Sequence, residues 1–304
     1  MYKRKIEEVL KNWKQTPNHK PIVIKGVRQC GKTSSVMDFA EKNYRHVVYL
    51  DFREHPEYRN FFIPNLDIPS IILRISATMP DVEIEAKETY FVFDEIQDCP
   101  RARGALKYFY LDGNYEVMCT GSLLGVNGYK TKEELQDESE ASIPVGFEQI
   151  ENMYPMDFEE WLWANNIKPI HLTYLRKCFD EELPVDEAIH QRMRELLHLY
   201  AIVGGMPEAV STFLATNQIG TLLQVQRRIV DEYKSDMIKY ALPTDKSKIR
   251  ECFESIPSQL AKEYKKFQFS KIRPNARGKE FAGSIQWIED AGIIQRCYNI
   301  QATE

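Results

Sequence analysis

The strongest constraint on this chain lies between Pro21 and Thr33, PIVIKGVRQCGKT, where an apolar run ends at Gly26 and Gly31, Lys32 and Thr33 follow. The spacing is G-x-x-x-x-G-K-T, placed after a predicted strand and before the helical pattern SSVMDFAEKNY. A loop of this length with glycine at both ends turns its backbone N–H groups inward at a helix N-terminus and so cradles an anion. Gly26, Val27, Arg28, Gln29, Cys30, Gly31, Lys32, Thr33 and Ser34 are therefore the expected nucleotide-binding residues. Lys32 would bring its charge to the β- and γ-phosphates and is a catalytic candidate, and the Thr33 hydroxyl would complete a magnesium shell. ATP and Mg2+ are the expected ligands.

A second apolar run, YFVFDEIQD from Tyr90 to Asp98, reads as a buried parallel strand with an acidic pair at its carboxyl end. Ligands of open α/β sheets sit at that end. Asp94 is the expected metal residue, and Glu95 is placed to polarise an attacking water as the catalytic base. A third run, YEVMCTGSLL from Tyr115 to Leu124, carries Thr120, Gly121 and Ser122. Beside the Asp94 strand these hydroxyls would reach toward the γ-phosphate or the water, and Ser122 is the catalytic candidate among them; Thr-Gly-Ser is also ordinary turn chemistry. With HVVYLDF (46–52) as a further strand, the alternation of strands and helices predicts a doubly wound α/β domain.

Composition narrows the partners. The chain has 304 residues, a formal net charge of −5 and no apolar run long enough to span a membrane, so no membrane partner and a cytoplasmic location are expected. Six scattered cysteines without paired spacing predict reduced thiols, with neither a zinc site nor a disulfide framework. Cys30, inside the phosphate loop, is a candidate for oxidation sensitivity. Arg28, Arg53, Arg101 and Arg103 are candidates to neutralise transition-state charge, in cis or across a subunit boundary.

The series GVRQCGKT, VVYLDF, YFVFDEIQ, MCTGSLL, SIPVGFEQIENMYPMDFEEWLWA and VGGMPEAV resembles the bacterial and archaeal AAA-type ATPases of the AAA_14 kind, whose core is paired with a C-terminal region called DUF4143. The resemblance implies a P-loop NTPase (AAA-like) parallel sheet of the additional-strand, catalytic-glutamate class over 1–165. It further implies a helical subdomain over 166–245 and a winged-helix-like domain over 246–304. The family's nuclease-like domain is expected to be absent, because the sequence ends at Glu304. By similarity to related signal-transduction ATPases, Gly205 and Pro207 would form a turn packed against the adenine; the same Gly-Gly-Met-Pro is also a plain helix-breaking turn. Phe158, Trp161 and Leu162 have helical spacing and read as core.

Two segments complete the reading. Residues 127–141 are polar and acidic and predict a solvated loop or lid over the nucleotide edge. Between Lys262 and Lys279, seven Lys or Arg residues stand against one acid, with Tyr264, Phe267 and Phe269 interleaved, the pattern of a surface that tracks DNA phosphates. Helices over ECFESIPSQLAKEY and GKEFAGSIQWIEDAG with a final strand IIQRCYNI (293–300) would build the winged helix. An ATP hydrolase acting on a protein partner or within a homo-oligomer, and a nucleotide-gated switch or DNA-binding adaptor with little turnover, both fit these features.

Overall fold

The computed structural model describes residues 2–122, 146–263 and 266–298. The loop expected over 127–141 lies outside the described residues, as do Tyr264 and Lys265 of the basic cluster.

The apolar runs pair into one parallel sheet. Its strands are β1 (Ile22–Gly26), β2 (His46–Asp51), β3 (Thr89–Asp94), β4 (Glu116–Ser122) and β5 (Gln149–Met153), in the order β2-β3-β4-β1-β5. β4 lies between β1 and β3, so the strand that follows the acidic pair separates it from the phosphate-loop strand. This is the additional strand that the resemblance implied.

Side chains alternate across a strand, and that alternation divides the core. Val23, Val48, Leu50, Phe91, Phe93, Val117 and Cys119 pack on one face with α3 (Ile68–Thr78) and α4 (Pro100–Asp112). Ile22, Ile24, Tyr90, Val92 and Met118 pack on the other with α1 (Ile6–Gln15) and α2 (Lys32–Asn43). β3 is buried along its whole length, as its uninterrupted apolar sequence requires in a sheet covered on both sides.

After β5 the chain is helical: α5 (Phe158–Ala164), α6 (Pro169–Asp180), α7 (Glu187–Val203), α8 (Pro207–Thr216), α9 (Ile219–Tyr240), α10 (Lys246–Leu260) and α11 (Gly278–Asp290). Asp157 caps α5 through a reciprocal box with Glu160. The Trp161 and Leu162 stripe is core, packed with Leu196, Val203, Val210, Phe213 and Leu222, and Phe158 rests against it. A last cluster joins Met237 of α9 to Ile249 and Cys252 of α10 and to Phe281, Ile285 and Ile288 of α11. The expected final strand does not form in its described part: 293–298 runs as irregular chain, and Arg296 turns back to Glu289 instead of pairing in a ladder.

α9 connects these parts. Leu222 lies in the helical core, Tyr233 rests against the sheet core and Met237 lies in the C-terminal cluster. Positions 222, 225, 229, 233 and 236 recur at helical spacing, so one stripe of α9 meets all of them in turn.

Candidate nucleotide site

Register brings the site together. Gly26 is paired with Ser122 on one side and Met153 on the other, and Asp51 is paired with Asp94, so the carboxyl ends of the strands form one rim. Asp94 follows the same parity as Tyr90 and Val92 and thus faces α2. The Thr33 Oγ1 donates to Asp94 Oδ2 at 2.8 Å and the Tyr49 hydroxyl donates to the same oxygen at 2.7 Å. The Thr120 hydroxyl and the Glu95 N–H donate to Oδ1. The carboxylate is buried and has hydrogen-bonding donors at both oxygens. Burial and the neighbouring Asp94 push the Tyr49 phenol far up, which keeps it a donor.

The phosphate loop is positioned from several sides. Gly26 is required because a Cβ there would lie 2.2 Å from the Met153 carbonyl oxygen of β5. Gly31 has φ +94 and Gln29 has φ +60, both in the left-handed region that a turn from strand to helix needs. The Lys32 ammonium is buried and donates to the Gly26 and Val27 carbonyls at 3.1 and 2.9 Å. Ser34 follows on the first turn of α2. Cys30 is buried, its thiol 3.6 Å from the Met153 carbonyl, and burial raises its pKa; it lacks the exposure and low pKa of a redox-sensing thiol.

Glu95 leaves β3 in the left-handed region at φ +52, a conformation that costs a non-glycine residue about 1–2 kcal/mol and that clusters at functional sites. Its carboxylate lies 2.6 Å from an Arg53 nitrogen and accepts from Gln97 Nε2 at 2.5 Å. Burial raises the Glu95 pKa above the usual value, although Arg53 and Lys32 pull against it. Gln97 also accepts from the Ser122 N–H at 3.3 Å, so Ser122 is linked to the Glu95 carboxylate through this amide.

The expected arginines separate. Arg53 joins Glu95 and Asp98, Arg28 pairs with Asp236, Arg101 donates to the Phe62 and Pro64 carbonyls, and Arg103 pairs with Glu148. Gly205 is fixed by packing, since a Cβ would lie 2.0 Å from the Met156 carbonyl oxygen, and its own carbonyl accepts from the Met156 N–H. Pro207 comes directly to the phosphate loop: its Cγ lies 3.6 Å from where a Gly31 Cβ would stand.

Sequence reasoning missed Tyr49, Gln97, Arg4 and the contact between α9 and the phosphate loop. Arg4 is buried and donates to the Cys30 carbonyl at 2.7 Å, the Tyr154 carbonyl at 2.7 Å and Glu160 at 3.1 Å. Tyr49 sits in an apolar alternation and Arg4 in a run of surface-like charges, so neither carries a local signal; Gln97, two residues beyond Glu95, does.

The donor set fits magnesium. Thr33 and Asp94 offer hard oxygens, and no group of three or more His, Cys, Asp or Glu among the described residues could hold a metal by itself. Mg2+ is commonly held this sparsely, keeping waters and substrate phosphates as its other ligands.

Residues 18–162 match the family of AAA domains AAA_14. Residues 194–304 match a domain of unknown function (DUF8612), in the place where the resemblance implied DUF4143. No curated protein matches the chain. Among solved structures, the Walker-type ATPase PABY2304 of Pyrococcus abyssi matches with a TM-score of 0.54 at 13% identity, over 96% of this chain and 90% of that one. AMPPCP-bound DnaA from Aquifex aeolicus matches with a TM-score of 0.38 at 12% identity, over 95% of this chain and 87% of that one. The likeness to PABY2304 shows the fold alone, an α/β P-loop domain. No helix of the described residues is long and apolar enough to cross a membrane.

Proposed function

We propose that the chain binds ATP with Mg2+ and hydrolyses it to ADP and phosphate, coupling nucleotide state to the helices packed on the phosphate loop. The observation that carries this reading is the 2.8 Å contact between Thr33 Oγ1 and Asp94 Oδ2, with Glu95 next in the chain. Two motifs 61 residues apart thereby meet at one point on the sheet rim.

The loop N–H groups and Lys32 hold the phosphates, Lys32 exchanging its two carbonyl partners for phosphate oxygens. Thr33 and Asp94 would hold Mg2+, which when bound neutralises charge on the phosphate oxygens. Glu95 accepts a proton from the attacking water as the new P–O bond forms and the bond to the bridging β–γ oxygen breaks, leaving ADP and phosphate. Gln97 and Ser122 orient Glu95, while Tyr49 and Thr120 hold Asp94 in place. Pro207 lies close enough to the loop to sense its conformation.

The Arg53–Glu95 pair favours a second reading, a nucleotide-gated switch with little turnover until a protein partner or a second copy draws Arg53 away. A DNA-binding adaptor through 262–279 receives less support, because Phe267 and Phe269 pack against the C-terminal core and are not free to stack on bases.

Steady-state hydrolysis by the wild type, Lys32→Ala and Glu95→Gln, with MgATP binding measured on the same samples, separates the readings. The hydrolase reading expects Glu95→Gln to retain ATP and lose turnover by about 10²–10⁴-fold, and Lys32→Ala to lose both. Binding without turnover in the wild type selects the switch, and no binding rejects both.

A further inference from the structure

Among the described residues, α9 enters the sheet core beneath the phosphate loop and both clusters beyond it, and two of its contacts to the loop are acidic. Arg28 pairs with Asp236 of α9, Gln29 donates to Glu232 of α9, and the Tyr233 hydroxyl donates to the Arg28 carbonyl at 3.1 Å. Glu232 and Asp236 stand one helical turn apart, so both present to the same patch of loop. The Arg28–Asp236 pair is largely buried, with side chains 27% and 14% exposed, which limits its screening by water. A loop shaped to receive a polyanion thus carries carboxylates against two of its residues.

We propose that α9 is a nucleotide-responsive latch, in which Asp236 and Glu232 occupy Arg28 and Gln29 until phosphate takes their place and α9 is released from the loop. This rests on the reading that residues 26–33 hold the ATP phosphates. Charge decides the direction. Phosphate and Asp236 are both anions competing for one guanidinium, and each disfavours the other nearby, so nucleotide and latch are thermodynamically opposed. The reach of the signal follows from the fold. Downstream of the contact, Met237 and Ala241 lie in the cluster with α10 and α11, so displacement of α9 acts on the C-terminal region first. Upstream, Gln226 donates to the Ile202 and Val203 carbonyls, and Arg228 pairs with Glu208 of α8, the helix that begins at Pro207. Those contacts anchor the N-terminal half of α9 while its C-terminal half moves.

The test uses the full chain, with MgATP affinity measured by calorimetry for the wild type, Asp236→Asn and Glu232→Gln, each checked for folding by its thermal melt. Removing the competing charge should tighten MgATP by about tenfold for Asp236→Asn, within the usual range of coupling between sites. In the unaltered chain, hydrogen exchange should slow over 26–33 on MgATP addition and quicken over 228–240. Folded variants within about twofold of the wild type, or weaker, overturn the latch while leaving the proposed function standing. If the variants do not fold, the exchange experiment decides: exchange over 228–240 that slows or stays constant on MgATP overturns it. A wild type that takes up no nucleotide removes the latch and the proposed function together.

Discussion

Arg4 shows how a single side chain outside the motifs holds the site. Its guanidinium spends its donors on Cys30, Tyr154 and Glu160, tying the phosphate loop to the start of α5, and both it and Glu160 are buried. Removing one partner of a buried pair leaves the other charge uncompensated, so Arg4→Met should cost about 3–5 kcal/mol in urea unfolding. An Arg4→Met loss below 1 kcal/mol, roughly the worth of an exposed pair, would contradict this account. Glu95 yields a pH prediction. Its carboxyl titrates above the usual 4.5, chiefly through burial, with Arg53 and Lys32 partly offsetting the shift. A base must be deprotonated to work, so activity should fall on acidification through a pKa higher than that of an ordinary glutamate, and Arg53→Gln should move this acid limb higher still. A pH profile of kcat/KM, which reports the free chain, reads both; an Arg53→Gln limb displaced to lower pH would refute the assignment of Glu95 and Arg53.

At the scale of elements, close backbone approach matters more than side-chain chemistry. Gly205 abuts Met156, and Gly205→Ala would push a Cβ into the Met156 backbone, so the start of α8 and Pro207 should shift from the loop. The expected result is a stability loss of about 1–3 kcal/mol, typical of overpacking, together with weaker MgATP binding. Stability loss with unchanged binding would confine the turn to a structural role. The elements differed in how plainly the sequence announced them. Strands β1 to β4 were legible because buried parallel strands are nearly continuous apolar runs, and the loop and Asp94 because glycine, lysine and acid at fixed spacing have a mechanical meaning. β5 was not legible: QIENM is mostly polar, half-exposed at the sheet edge, and belongs to the sheet because Gly26 lets Met153 approach. No periodicity reveals that Glu232 and Asp236 of α9 face a loop some two hundred positions earlier. The expected strand over 293–300 does not form over its described part, 293–298; a short apolar run reads alike as strand or as packed coil, and Ile293 and Ile294 rest against the α10–α11 cluster.

At the scale of the whole molecule, a chain with net charge −5 repels polyanions on average, so any DNA contact must come from the local basic cluster. The fold changes what that cluster can do. Phe267 and Phe269 are committed to the C-terminal core, and Arg273 is committed to Glu251 and Glu280. Lys262, Lys266, Lys271, Arg277 and Lys279 remain exposed among the described residues. Without stacking by Phe267 and Phe269, the described part of the cluster offers a duplex or single strand phosphate contacts alone, which carry no base preference. Counterion release then sets the scale: these five described cations together contribute a slope of log affinity against log salt of up to about −4.5 on duplex DNA. Replacing Lys266 and Lys271 together by alanine should flatten that slope by about 2 units. A steeper slope, or a base preference, would require a surface beyond these five side chains. Salt-independent binding would mean that phosphate is not the group being recognised.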